Sequence, residues 1–140
     1  MPTLPDHFPP HPARDVALRS MQAVEAGDRA AWLALFADDA VVEDPIGPSP
    51  FDPEGNGHRG REAIAAFYDA VIAPNESLAF TVERSHAAGS EVANVGTIST
   101  TLPDGGGTVH TDLVATYRVD DDGRLVALRA YWSVDELRFG

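Results

Sequence analysis

Apolar residues recur at helical spacing in the first half of the chain and at every second position in much of the second half. Residues 1–12 hold five prolines and predict an extended arm. From Ala13 the pattern is helical and stops at Gly27, a residue suited to the position just past a helix end. Asp28 is placed to cap a second predicted helix, residues 29–37.

A short strand, "VVEDP" at residues 41–45, follows these two helices. A long loop rich in Pro and Gly covers residues 46–60, and a third helix runs from Arg61 to about Val71. Beyond it the period changes to two in "SLAFTVERS", "EVANVGTISTTL", "TVHTDLVATYRV" and "RLVALRAYWS", with the turns "PDGGG" and "DDG" before the last two. This order predicts one α+β domain at residues 13–140, a curved antiparallel sheet covered by helices.

Composition narrows the classes of partner. The net charge of the 140 residues is -12, and the ten basic residues are scattered, which argues against nucleic acid and anionic membranes. No apolar run approaches the roughly 20 residues of a spanning helix, and no secretory signal is visible. With no cysteine there is no disulfide or thiolate metal site, so we expect a cytoplasmic protein without a bound metal or cofactor.

Small or polar residues occupy the face of the predicted sheet that should be its core side. Asn94, Gly96, Thr100, Thr111 and Ala115 stand where a packed core prefers Leu, Ile or Phe. Either bulky helix residues fill this space, or it is left open as a ligand cavity.

Two adjacent carboxylates end the first predicted strand. Asp44 precedes Pro45, so it is either a plain turn residue or a carboxyl placed in an apolar pocket that raises its proton affinity. Glu43 points to the opposite face of an extended segment, and we expect it to be solvated.

Three segments resemble a known family. "AGDRAAWLALFADDAVVEDPIG", "GREAIAAFYDAVI" and "YRVDDDGRLVALRAYWS" are similar to the SnoaL-like ketosteroid isomerases of the nuclear transport factor 2-like superfamily. The likeness spans most of the chain, weakens at residues 72–107 and fails in the arm. It implies a cone in which three N-terminal helices and the sheet enclose an apolar pocket for a steroid-sized ligand, usually in a homodimer.

The resemblance also implies roles for single residues. Asp44 falls at the general base, which moves a proton along a conjugated ketone. The family places two donors on the developing oxyanion, a tyrosine and a protonated aspartic acid, and counting without gaps puts these positions at Ser20 and Ala115. Losing one such donor typically costs on the order of 100-fold to 1,000-fold in rate, so both departures put the family reaction in doubt.

Replacement donors are available in the sequence. Tyr68 matches a family tyrosine behind the lost one and, with Asp44, is expected to be catalytic. Trp132 matches a pocket tryptophan whose N–H could donate to Asp44, and Asn94 offers an amide. The expected pocket residues are Ser20, Phe36, Phe67, Asn94, Gly96, Ile98, Thr111, Leu113, Ala115, Leu128 and Trp132.

Two classes of function stay open at this point. One is a steroid delta-isomerase-like enzyme with a rearranged donor set. The other is a non-catalytic protein, natural or engineered, that binds a steroid or similar apolar small molecule. The same fold could also run another reaction in which Asp44 positions water.

Overall fold

Three helices precede most of the strands. A computed structural model describes residues 1–140. The helices are α1 (Pro12–Ala26), α2 (Arg29–Ala34) and α3 (Arg61–Phe67), and α3 continues into a wider helical turn at Tyr68–Ile72. The strands are β1 (Phe36–Glu43), β2 (His58–Arg59), β3 (Ser77–Ala88), β4 (Glu91–Thr101), β5 (Thr108–Val119), β6 (Leu125–Tyr131) and β7 (Arg138–Phe139). The predicted α+β class is confirmed.

Capping residues fix the ends of the first two helices. At the start of α1 the His11 ring accepts a hydrogen bond from the Ala13 amide at 3.1 Å. Gly27 ends α1 in the left-handed region at φ 68°, which costs glycine little. The Asp28 carboxylate accepts from the Ala31 amide at 3.0 Å and starts α2. The predicted roles of Gly27 and Asp28 are confirmed.

The second helix is shorter than its sequence pattern predicts. It ends at Ala34 rather than Ala37, and β1 starts at Phe36. Here the Leu125 amide donates to the Leu35 carbonyl at 2.8 Å, and Phe36 pairs with Leu125. A strand pairing with a residue far along the chain therefore outweighs local helix propensity.

The sheet is a meander with an added edge. Its order is β2-β1-β6-β5-β4-β3, with β7 beside β5. The strands β3 to β6 pair antiparallel in sequence order, as predicted. However, β1 lies parallel to β6, so the expectation of a wholly antiparallel sheet is wrong at this pair. Because β1 is reached from a helix and not through a hairpin, its direction was not constrained by a turn.

The N-terminal arm lies along the outer edge of β3. Thr3 donates its amide to the Phe80 carbonyl at 2.9 Å, and the Val82 amide donates to the Thr3 carbonyl at 2.7 Å. The arm thereby covers part of a strand edge that would otherwise expose unpaired backbone groups.

Trp32 is central to the core between the helices and the sheet. It is 1% exposed, and its ring lies 4.7 Å from that of Phe36 and 5.4 Å from that of Tyr68, measured between centroids. These aromatic contacts join α2, the start of β1 and the helical turn after α3 in one core.

Candidate functional site

A cavity of about 360 Å³ lies between the inner face of the sheet and the helices. Its volume falls within the roughly 300–1,000 Å³ of pockets that enclose drug-sized ligands. Most of its lining is apolar. Of the sequence-predicted site residues it brings together Asp44, Ser20, Phe67, Asn94, Gly96, Ile98, Thr111, Leu113, Ala115, Leu128 and Trp132.

Two predicted site residues do not line this cavity. Phe36 is 1% exposed and packs edge-on against Trp32. Tyr68 is 4% exposed and is not one of the residues that line the cavity. Trp32 contacts Tyr68 and donates its N–H to Ser20 at 3.0 Å. The structure therefore places Phe36 and Tyr68 in the core beside Trp32 and not in the cavity lining.

Asp44 stands one residue beyond β1 at the cavity wall, partly exposed to the cavity. The indole N–H of Trp132 donates to its Oδ1 at 2.6 Å, the contact suggested by the sequence. Burial raises the pKa of Asp44 above its usual value, while the Trp132 hydrogen bond and the charge of His58 oppose this rise. The carboxyl is therefore oriented by one donor and holds its proton more tightly than a solvated aspartate.

Glu43 is not solvated as expected. Its side chain is 16% exposed and lies 3.4 Å from the Arg129 guanidinium. The parallel pairing of β1 with β6 sets Glu43 opposite Arg129, an arrangement that a strand pattern alone does not reveal. The two adjacent acids thus differ: Glu43 is ion-paired on the outer side, and Asp44 faces the cavity.

Tyr117 is a cavity residue to which the sequence pattern gave no role. It is 5% exposed, lines the cavity and makes no hydrogen bond within the chain through its hydroxyl. Burial, and secondarily the charge of Asp44, raise the pKa of Tyr117 well above its usual value. The available signal was its position on β5, two residues from Ala115 and on the same face.

Replacing Trp132 should change the acidity of Asp44. In Trp132→Phe the only hydrogen bond to this carboxylate disappears, so we expect the pKa of Asp44 to rise further. Carboxyl carbon chemical shifts followed during a pH titration measure this change. Tyr131→Phe, at an exposed position on β6, is the matched control, and an unchanged or lower pKa in Trp132→Phe would contradict the assignment.

Asp44 should reduce stability near neutral pH. Its folded pKa lies above the unfolded value of about 3.9, so its contribution to the free energy of unfolding falls as pH rises through the folded pKa. An amide in place of this carboxylate would keep the acceptor for Trp132 without the charge. We therefore expect Asp44→Asn to melt a few degrees higher near pH 7, with the gain shrinking toward about pH 4.

A control of opposite sign is available at Asp112. Its pKa is lowered to about 2 by hydrogen bonds from Arg138 and Thr97, so its stabilising contribution is present above the unfolded pKa and is lost as pH falls. Asp112→Asn should therefore lower the melting temperature near pH 7. A melting temperature for Asp44→Asn that is equal to or below that of the unchanged chain near pH 7 would contradict the account of Asp44.

The fold and this cavity define the ketosteroid isomerase-like class of the nuclear transport factor 2-like superfamily. The family model for the SnoaL-like domain matches residues 17–128. The chain therefore belongs to the SnoaL-like family, as the sequence segments indicated. A steroid Delta-isomerase of Nocardioides simplex is 34% identical over 122 residues, which cover 85% of this chain and 88% of that protein.

Solved structures agree with this assignment. A Delta 5-3-ketosteroid isomerase from a Mycobacterium species has a TM-score of 0.86 at 44% identity and covers 92% of this chain and 98% of its own. The Mycobacterium tuberculosis protein RV0760c, in complex with estradiol-17beta-hemisuccinate, has a TM-score of 0.85 at 40% identity and covers 93% and 100%. A computationally designed 17-OHP binder has a TM-score of 0.84 at 36% identity and covers 92% and 96%.

Neither a membrane span nor a metal cluster is found in the structure. No helix is long and apolar enough to cross a bilayer. No group of three or more His, Asp or Glu side chains comes together in a way that could hold a metal ion.

Proposed function

We propose that the chain binds a steroid-like or polycyclic ketone in this cavity and isomerises it by proton transfer, with Asp44 as the general base. One observation carries the proposal. A carboxylate with a raised pKa, oriented by Trp132, faces an otherwise largely apolar cavity. Elsewhere along the sheet the cavity offers mainly aliphatic and small side chains, which suit a rigid hydrocarbon skeleton.

The chemistry follows from the properties of a carboxylate base. In a 5-ene-3-ketosteroid, the carbon between the ketone and the double bond is acidic. Asp44 takes a proton from it, the electron pair moves into the enolate, and the same carboxyl returns the proton to the far carbon of the conjugated system. No electron or group is lost, so the reaction requires no cofactor. Burial, which raises the pKa of Asp44, makes it a stronger base for this step.

A binding protein without efficient catalysis is the second candidate. Ser20 and Ala115 stand where the family resemblance implies oxyanion donors, and neither residue supplies a phenol or a neutral carboxyl. The similarity to a computationally designed 17-OHP binder supports the idea that this fold can serve binding alone. The two candidates share the cavity and differ in whether Asp44 acts on the ligand.

Two assays in parallel separate these candidates. Conversion of a 5-ene-3-ketosteroid to the conjugated 4-ene ketone is followed by ultraviolet absorbance, and binding of the product steroid is titrated. Turnover well above buffer supports the isomerase, and binding without turnover supports the second candidate. Neither binding nor turnover would contradict both.

We also infer a homodimer, on the basis of the family resemblance alone. The chain has a mass of 14.9 kDa, so light scattering coupled to size-exclusion chromatography distinguishes a monomer from an assembly of twice that mass. A single monomeric species at micromolar concentration would contradict this inference.

A further inference from the structure

Two buried polar side chains flank the position where the family acid is replaced by Ala115. Asn94 on β4 is the direct cross-strand partner of Ala115, and Tyr117 lies two residues farther along β5 on the same face. Both line the cavity, with exposures of 6% for Asn94 and 5% for Tyr117. Directly paired residues in an antiparallel sheet have Cβ atoms about 5 Å apart, so the Asn94 side chain can reach the space that a longer side chain at 115 would occupy.

The Asn94 carboxamide has unsatisfied hydrogen-bonding capacity. Its Oδ1 is buried without a partner in the chain. Its Nδ2 also makes no hydrogen bond, but unlike Oδ1 it keeps some accessible surface. Because Asn94 is 6% exposed and lines the cavity, we infer that this surface faces the cavity. The free N–H groups of Nδ2 can therefore donate to an acceptor atom of a bound molecule. The buried Oδ1 is itself an acceptor and plays no part in that contact.

The Tyr117 hydroxyl is placed to act beside it. Tyr117 and Asp44 line the same cavity, and the hydroxyl makes no hydrogen bond within the chain. Burial keeps the phenol neutral, and a neutral phenol retains a proton to donate. Ser20, at the other lost donor position, already accepts the indole N–H of Trp32 and is too short to replace a tyrosine.

We propose that Asn94 and Tyr117 together donate hydrogen bonds to the ketone oxygen of the bound ligand and to the enolate oxygen that forms from it. This assignment rests on the proposed function. As Asp44 removes the carbon-bound proton, the carbonyl electrons move onto oxygen, where the Asn94 N–H and the Tyr117 O–H stabilise the charge without giving up their protons. The two lost donors of the family are thereby replaced by Asn94 on β4 and by Tyr117 on β5, two residues beyond Ala115.

The test uses two variants that remove a donor while preserving shape. Tyr117→Phe deletes only the hydroxyl, and Asn94→Leu replaces the amide by an apolar group of similar size. The probe is equilenin, a steroidal naphthol whose ionised oxygen mimics the enolate, and its fluorescence reports both affinity and ionisation. We expect each variant to bind the ionised naphthol about 10-fold to 100-fold more weakly and to turn over the 5-ene-3-ketosteroid on the order of 100-fold more slowly. Tyr131→Phe is the control, and melting temperatures verify that each variant is folded.

The outcomes separate this inference from the proposed function. Turnover that depends on Asp44 but is unaffected by both variants would overturn the donor assignment and leave the isomerase standing. No turnover by the unchanged chain, with naphthol binding that weakens in both variants, would overturn the isomerase and support the donors. Naphthol binding that is absent, or within twofold of the unchanged chain in both variants, overturns the donor assignment.

Discussion

Asp44→Asn is expected to lower the turnover of a 5-ene-3-ketosteroid by about 100-fold to 10,000-fold, the usual contribution of a general base. The amide cannot accept the proton, but its oxygen can still accept the indole hydrogen bond that Trp132 gives to Asp44. The cavity should therefore keep its shape, and affinity for the 4-ene ketone product should change little. A large fall in kcat at nearly constant KM is the pattern of an interaction made only in the transition state.

Asp39→Asn is the matched control for this experiment. Asp39 lies on the same strand, β1, but is exposed and does not line the cavity. Its substitution should leave turnover unchanged. Loss of a general base typically lowers turnover by about 100-fold or more. If Asp44→Asn kept more than about a tenth of the activity, Asp44 would not be the base.

Gly96→Ala should destabilise the fold by on the order of 3 kcal/mol, which corresponds to roughly 10 °C in melting temperature. Gly96 lines the cavity, but the neighbouring strand β3 leaves no room for a side chain at this position. A Cβ at this position would lie far inside contact distance of the Thr81 carbonyl oxygen and about 3.0 Å from Val82 Cα. The pairing of β3 with β4 shifts register between Val82 and Arg84, next to Gly96, and brings the two backbones close together.

A double variant identifies the cause of that loss. Since the obstructing atom belongs to the main chain of Thr81, adding Thr81→Ala should not rescue Gly96→Ala. Chemical denaturation followed by circular dichroism measures both variants. A loss below about 1 kcal/mol, which is typical of an ordinary substitution, would show that β3 accommodates the methyl group and that the close approach is unimportant.

The fold was largely predictable because its signals are local. Gly27 and Asp28 fix helix ends through contacts a few residues away, and the period-two strands are joined by turns with clear sequence signals. The parallel pairing of β1 and the early end of α2 were not predictable, because Phe36 is held by Leu125 from the far end of the chain. A pairing between residues so far apart in the chain gives no signal in the local sequence pattern.

In the candidate site, too, some residues were predictable from local sequence patterns and others depended on tertiary packing. Asn94, Gly96 and Ala115 were placed on one face by alternation alone, and they do line the cavity. Tyr68 was assigned by resemblance, but it packs against Trp32 and does not line the cavity, a packing detail that depends on how three elements meet. Tyr117 was on the predicted cavity face of β5, but the sequence pattern does not show that its hydroxyl lacks a hydrogen-bond partner, since most aromatic residues at this spacing simply pack in the core.

Deuterium exchange into a bound 4-ene-3-ketosteroid tests the central claim most directly, because it detects proton transfer by Asp44 even where the overall isomerisation is slow. The steroid is incubated with the protein in deuterated buffer, and label at the carbons conjugated with the ketone is measured by mass spectrometry. We predict incorporation well above that in buffer alone, and its loss in Asp44→Asn but not in Asp39→Asn. Incorporation at the buffer rate, or equal incorporation in the unchanged chain and Asp44→Asn, would contradict the assignment of Asp44 as the base.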